Sequence, residues 1–400
     1  MSAIKAGNDD FFKLHQEFSA PIYQPYSIVF EKAEGCWFWD KERKKYLDMF
    51  ACYSTLNQGH RHPKIIEAVK KQLDKITLTS RAYLNEELPI FLQELCRISE
   101  MEQAIPMNSG AEAMETAIKV ARKWGYYKKG IPKGKAEIIV MEKNFHGRTV
   151  TNISFSTIEK FRDGFEPFTP GFVIVPFGDI EAVKKAINKN TAAVMLEPIQ
   201  AVNGINFPPE GYLKELRVLT KNHNVLLIFD EIQTGLGRTG KLFAWQWENA
   251  KPDILCLGKA LGGGIYPVSA VLSSEEIFSV FNPGDHGSTL AGNPLASAVG
   301  LSSLKVIMEE NLAERAKKMG EHLIEELRKL NHSNIKSIRG KGLLIGVELT
   351  VDAEPYIKEL LELGIVSLTV QKNMLRFTPP LIISDEEVEY TVEKVSRLFH

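Results

Sequence analysis

Two residues of this 400-residue chain stand where buried strands would end. Asp230 closes the run Val225–Phe229 in VLLIFDEIQTG, and Lys259 lies just past Ile254–Leu257 in ILCLGKALGGG. Each run is short and uniformly apolar, the pattern of a strand covered on both faces. The segment between them is long enough for a crossover. In a parallel sheet both strands would end at one edge, and the two side chains would open into the crevice where open α/β sheets bind ligands. A carboxylate facing a lone amine there suits a pyridine cofactor: the amine condenses with its aldehyde, and the carboxylate keeps the ring nitrogen protonated. Taken singly, an Asp after a strand is a turn or cap residue, so the pair gains weight from its neighbours.

Those neighbours lie in five further stretches. MNSGAEAMETAIKVARKW (Met107–Trp124) is a small-residue turn entering a helix. Ser109, Gly110 and Ala111 would leave N–H groups free at the helix start, which suits a phosphate; a plain capped helix reads the same way. In NFHGRT (Asn144–Thr149), Phe145 is placed to stack on a flat ring and Arg148 to clamp a carboxylate, or the two are a core Phe and a surface Arg. LEPIQ and DEIQTG add Glu197, Glu231 and Gln233. Gln233 suits a phenolic oxygen; the two Glu residues are equally well strand-end carboxylates in a network. HGSTLAGNP (His286–Pro294) offers Ser288 and Thr289 as phosphate donors, or is a bare turn. RFTPPL places Arg376 at the end of a late strand. GLGRTG (Gly235–Gly240) matches GxGxxG formally, but it starts several residues past its strand and lacks the later acidic residue, so a dinucleotide reading is rejected. There is no P-loop.

The elements that must position these residues follow from hydrophobic pattern. Residues 1 to about 20 read as a polar arm or short helix. Ser27–Phe30, Cys36–Trp39 and Tyr46–Met49 form a β-meander. Pro63 opens a helix with Ile65, Val69 and Leu73 on one face. From about residue 80 to 295, helices alternate with apolar runs at Glu137–Met141, Phe172–Val175, Ala193–Leu196, Val225–Phe229, Ile254–Leu257 and Val268–Leu272. That alternation predicts a mostly parallel sheet covered by helices. Leu295–Leu330 reads as helical, then strands at Leu343–Leu349 and Met374–Phe377, then a closing helix from Asp385. The expected division is an N-terminal segment 1–75, a large domain 76–300 and a C-terminal part 301–400, the two ends forming one smaller α+β domain.

Composition bounds the function. Apolar content of 44% and charged content of 25% describe an ordinary globular chain, and a net charge of −1 argues against nucleic-acid or membrane-surface binding. Cys36, Cys52, Cys96 and Cys256 show no metal spacing and read as thiols of a reducing compartment. The polar, acidic start MSAIKAGNDDFFKLH is neither a signal peptide nor a mitochondrial presequence, so a cytoplasmic location is expected.

Taken together and in this order, the motifs resemble the class III, subgroup II aminotransferases of fold type I, and within them the ornithine-handling branch. The likeness runs from about Tyr23 to the last helix. It shows in YSTLNQGHRHPKI (Tyr53–Ile65), MNSGAEAMETA, DEIQTGLGRTGKLFA, LGKALGGGIYPVSAVL, NPGDHGST, RGKGLL and LRFTPPLII. The resemblance implies an α/β fold with a seven-stranded large domain and pyridoxal 5'-phosphate as cofactor. It implies that Lys259 holds the cofactor and shuttles the proton, and that Asp230 partners the pyridine nitrogen. By the same resemblance, Gln233 sits near the 3-hydroxyl, Phe145 stacks on the ring, and Ser109, Gly110 and Ala111 cradle the phosphate. Thr289 matches a phosphate ligand given by the neighbouring subunit, which implies a homodimer with a shared site. Tyr23 and Arg148 match the pair that holds the ornithine α-carboxylate, Tyr53 a tyrosine favouring ornithine, and Arg376 the arginine for the oxo-acid carboxylate. The implied reaction moves the δ-amine of L-ornithine to 2-oxoglutarate; the partners are a small amino acid and an oxo acid, with no metal.

One departure stands out. After EPIQ the family reads Gly-Glu, the Glu pairing with the second arginine; here the run is EPIQAVNG, with Val202 in that place. Leu290 and Ala291 also replace an aromatic-glycine pair. An always-open Arg376 would pull the chemistry toward α-amino groups. The alternatives are therefore another ω-aminotransferase (acetylornithine, lysine or 4-aminobutyrate), an amino-acid racemase, or a non-catalytic pyridoxal-binding protein.

Overall fold

The computed structural model describes residues 8–399; the first seven residues of the polar arm lie outside them. A helix, Asn8–Phe18, leads in without burying a residue. Strands β1 (Phe30–Glu34), β2 (Trp37–Asp40) and β3 (Lys45–Asp48) then form an antiparallel meander. It begins about three residues later than the hydrophobic run suggested.

The central sheet holds β4 (Gln103–Met107), β5 (Glu137–Met141), β6 (Phe172–Val175), β7 (Thr191–Leu196), β8 (Leu226–Asp230), β9 (Ile254–Leu257) and β10 (Ser269–Ser273), in the order β4-β10-β9-β8-β7-β5-β6. Strands β6, β5, β7, β8 and β9 run parallel, and β10 runs antiparallel to both its neighbours. The apolar runs marked six of these strands. The seventh, β4, went unmarked because Pro106 interrupts it; an edge strand tolerates a proline, and β4 pairs only with β10. Every residue of β7, β8, β9 and β10 is buried. Alternate residues feed two cores: Leu227, Phe229, Leu255 and Leu257 face one, and Leu226, Ile228, Ile254 and Cys256 the other. The second core includes Ala113, Met114, Ala117 and Ile118 of the helix Gly110–Tyr127.

The long helical stretch is two helices, Pro294–Glu309 and Leu312–Arg328, broken where Asn311 adopts φ +50; Asn accepts the left-handed region more readily than other side chains. Strands β11 (Ile335–Lys341), β12 (Leu344–Leu349), β13 (Ile365–Val366), β14 (Leu368–Val370) and β15 (Met374–Phe377) follow. Four of them form a sheet in the order β11-β12-β15-β14, while β13 pairs in parallel with β3, so both parts of the chain share one sheet. The closing helix Asp385–Arg397 carries a capping box between Ser384 and Glu387.

GLGRTG has a structural duty. Arg238 is fully buried and donates to the carbonyls of Leu343 and Pro379 and to Oδ1 of Asn57, tying the strand-β8 exit to both chain ends. Among the described residues no helix is long and apolar enough to cross a membrane, and no acidic, His and Cys cluster could hold a metal.

Candidate active site

In the β8–β9 register Asp230 stands beside Cys256, so the chain leaves both strands at one edge. Asp230, Lys259, Gln233, Phe145, Glu197 and Val202 line one cavity there, with about 590 Å³ of empty space up to its open mouth. Lys259 enters it from a left-handed backbone, φ +46, a conformation that costs a non-glycine residue about 1 kcal/mol. Its Nζ lies 3.5 Å from Oε1 of Gln233. Burial pushes the Lys259 amine down from its ordinary value; Asp230 and Glu197 oppose this, Arg376 adds to it, and the net is a fall. A lowered value raises the neutral, nucleophilic fraction.

Asp230 is held at both oxygens. Oδ2 accepts from Nδ1 of the buried His146 at 2.7 Å, and Oδ1 accepts from the Ile232 N–H at 3.0 Å. The Nδ1 proton is assigned by chemistry, since a carboxylate only accepts. Burial alone would lower the His146 imidazole, but the Asp230 bond and charge outweigh it and the net is a rise. Glu197 accepts from the Phe145 N–H at 3.0 Å; burial, reinforced by Asp230, pushes its carboxyl up to about 7. Glu231 is a network residue: it accepts from the N–H groups of Ala244 and Trp245 and the hydroxyl of Thr234.

At the other end of the cavity lies the start of the helix Gly110–Tyr127. The Ser109 hydroxyl accepts from the Glu112 N–H, and the Glu112 carboxylate accepts from the N–H groups of Asn108 and Ser109. This cap consumes the donors of Asn108, Ser109 and Glu112. The N–H groups of Gly110 and Ala111, both lining the cavity, have no acceptor within the helix. Ser288 is engaged elsewhere, accepting from Asn108 and donating to Glu112, and Thr289 is exposed; neither lines this chain's cavity.

Arg376, on β15, is only 3% exposed. It donates one long bond, 3.5 Å, to the Ala201 carbonyl, its Nε has no partner, and its guanidinium lies 5.1 Å from the centre of the Tyr53 ring. Burial pulls it down to about 10. Tyr53 sits at φ +59 within Ala51–Ser54, four residues in succession with positive φ. Asp48 secures that turn: Oδ1 accepts from the N–H groups of Phe50 and Ala51, and Oδ2 pairs with Nε2 of His60 at 2.8 Å. Arg148 is exposed, 3.6 Å from the centre of the Phe161 ring. Tyr23 is 76% exposed. Burial pushes the Tyr53 phenol up, Arg376 and Arg148 pull it down and Tyr23 raises it, so these four side chains share one electrostatic neighbourhood.

Sequence reasoning missed two supports. His146 stands inside NFHGRT, between residues that were singled out, but nothing in the string shows that it reaches beneath β8. The Asp48–His60 pair links residues twelve apart through a turn whose left-handed course no pattern announced.

An amine, a paired carboxylate, an aromatic face and two free N–H groups fit a flat pyridine carrying a phosphate. So does Gln233, whose buried Nε2 lacks a partner and lines the same cavity. A mostly parallel seven-stranded sheet with this constellation at its edge defines a pyridoxal-phosphate-dependent enzyme of fold type I. Comparison with known proteins narrows this. The family model Aminotransferase class-III matches residues 18–399. The ornithine aminotransferase of Brevibacillus brevis is 53% identical over 96% of each chain. A Toxoplasma gondii ornithine aminotransferase structure, described with partial occupancy of pyridoxal phosphate, superposes with a TM-score of 0.97 at 40% identity, covering 98% of this chain and 94% of that one. An acetylornithine aminotransferase from Elizabethkingia anophelis gives 0.90 at 41%, covering 98% and 99%. The chain belongs to the class-III aminotransferases, and its cofactor is pyridoxal phosphate.

When bound, the cofactor supplies an electron sink for the pair left behind as a proton leaves the amine-bearing carbon. Lys259, whose amine enters the cavity, would be the residue to hold it and the base to take and return that proton. Asp230, oriented by His146 and Ile232, would keep a proton on the ring nitrogen. Phe145 and Ile232 line the cavity as apolar walls, and Gly110 and Ala111 would offer their N–H groups to the phosphate.

Proposed function

We propose that this enzyme transfers the δ-amine of L-ornithine to 2-oxoglutarate, giving glutamate 5-semialdehyde and glutamate. The supporting observation is a pair of arginines that both act on the Tyr53 phenol, Arg376 buried against its ring and Arg148 exposed. Arg148, with Tyr23, takes a carboxylate at the mouth, as a donor with a distant amine requires. Arg376, buried behind the Ala201–Val202 wall of the cavity, takes the other, as an oxo acid with its carbonyl beside the carboxylate requires. The names of the B. brevis and T. gondii relatives agree with this donor.

The active unit in this reading is a homodimer, in which Thr289 of one subunit completes the phosphate site of the other. This reading assigns the exposed Tyr83 and Leu84, at 74% and 94%, to that contact. The setting is cytoplasmic, and the semialdehyde product would feed proline formation.

The likeness to an acetylornithine enzyme favours a second reading, another ω-amine donor. The test is a donor screen on purified holoenzyme. Ornithine should give the highest kcat/KM and turn over only with an oxo acid. A tenfold preference for acetylornithine, lysine or 4-aminobutyrate would replace the donor, and D-ornithine formed without oxo acid would replace the reaction.

A further inference from the structure

We infer that Arg376 is an ungated carboxylate anchor, through which ornithine also binds in the reverse sense and gives up its α-amine. The inference rests on the proposed donor and extends it to a second regiochemistry.

The observations concern what surrounds the guanidinium. It is all but inaccessible, and among the described residues it forms no ion pair. Its neighbours are the Tyr53 ring and the Ala201 carbonyl. Next in the chain comes Val202, whose side chain lines the cavity and offers no charge. The cavity's two carboxylates are committed elsewhere: Glu197 to the Phe145 N–H, and Asp230 to His146 and Ile232. A buried cation without an anion is costly, and an arriving carboxylate relieves that cost. Arg148 differs, being exposed and stacked on Phe161, so a carboxylate there displaces water for little gain. Of the two anchors, the buried one holds a carboxylate more strongly, with nothing in the cavity to compete.

Arg376 also reaches Lys259 electrostatically, adding to the fall in its amine. Arg376 does not itself line the cavity that Lys259 enters, but it donates to the carbonyl of Ala201, beside Val202 in the cavity wall, so the anchor borders the pocket of the base. An amino acid docked on Arg376 brings the carbon next to its carboxylate toward Lys259; docked on Arg148, it brings the far end. The balance is simple. L-Ornithine and 2-oxoglutarate exchange the α-amine for the keto oxygen, giving 5-amino-2-oxopentanoate and glutamate. The free terminal amine of the first product then closes on its own carbonyl with loss of water. The ring so formed differs from that of the semialdehyde only in where its carbon–nitrogen double bond lies.

Two measurements on the holoenzyme test this. The first follows heavy nitrogen from ornithine labelled at the α- or at the δ-position into glutamate. Wild type should transfer both, and Val202→Glu, which gives Arg376 an internal partner, should cut α-transfer relative to δ-transfer by about tenfold or more. The second is calorimetric binding of glutarate, which cannot react. Val202→Glu should weaken it by about tenfold to a hundredfold, and Val202→Gln, similar in size but neutral, by less than about threefold. Transfer of δ-nitrogen with no α-nitrogen in glutamate would overturn the inference, as would equal weakening by Gln and Glu. If ornithine donates neither nitrogen, the proposed donor fails, and glutarate alone decides: equal affinity for wild type and Val202→Glu sinks the open anchor.

Discussion

Replacing Arg376 with Met should leave stability nearly unchanged while disabling the enzyme. The guanidinium is 3% exposed, makes one 3.5 Å bond and leaves Nε unpaired. Exchanging buried charge for a packed apolar side chain is commonly stabilising by about 1–4 kcal/mol. Against this stand the Tyr53 cation–π contact, about 0.5–2 kcal/mol, and a small void where Met is shorter, about 1 kcal/mol. The net runs from a loss of about 2 to a gain of about 2.5 kcal/mol, centred within a few tenths of zero. With an unfolding entropy of about 2 cal/mol/K per residue, a chain of this length moves in Tm by less than about 1 °C at the centre of that range and by about 3 °C at its ends. The buried guanidinium titrates at about 10, so it is fully charged and the penalty constant near neutral pH, where calorimetry of the holoenzyme reads it directly. In the same variant the KM for 2-oxoglutarate should rise at least about thirtyfold, the cost of losing a buried charged partner. A fall in Tm of more than about 3 °C would refute the reasoning, because it would mean that an anion pairs with Arg376 in the folded protein.

Three further outcomes follow from the same geometry. Glu197 has a folded-state pKa of about 7 against an ordinary 4.5, so the folded state binds the extra proton between those values and stability falls as pH rises through them. Glu197→Gln lacks that loss; its advantage in urea denaturation should grow by about 1.4 kcal/mol per pH unit across the window and level off above it, and a pH-independent difference would contradict the assignment. His146→Phe fills the space beside Phe155 but removes the 2.7 Å bond to Asp230; kcat should fall about tenfold to a hundredfold, with weaker cofactor retention seen by absorbance, whereas a purely structural His146 would move only Tm. Leu84→Glu, at 94% exposure, should leave a lone chain foldable but disrupt the proposed dimer; sedimentation showing an intact, active dimer would remove Leu84 from the interface.

Much was legible in the chain because burial on two faces leaves a plain mark. Strands β5 to β10 showed as apolar runs, and the polar residue ending β8 and the lysine just beyond β9 showed where chemistry would sit. Strand β4 did not, since its proline is tolerated only because it lies at an edge. The two helices from Pro294 to Arg328 read as one because a single Asn at φ +50 breaks them without altering the hydrophobic pattern.

What the string alone determined is the roster: an amine, a carboxylate, a ring and two arginines at the ends of elements whose types follow from local pattern. Only the tertiary structure decided their company. It set His146 against Asp230, spent Ser109, Ser288 and Glu112 on one another, and left Arg376 enclosed with a tyrosine ring and no acid. The reason is that pairing, burial and exclusion of water depend on distances between segments far apart in the chain. Residue order records which groups are available, and packing decides which of them meet.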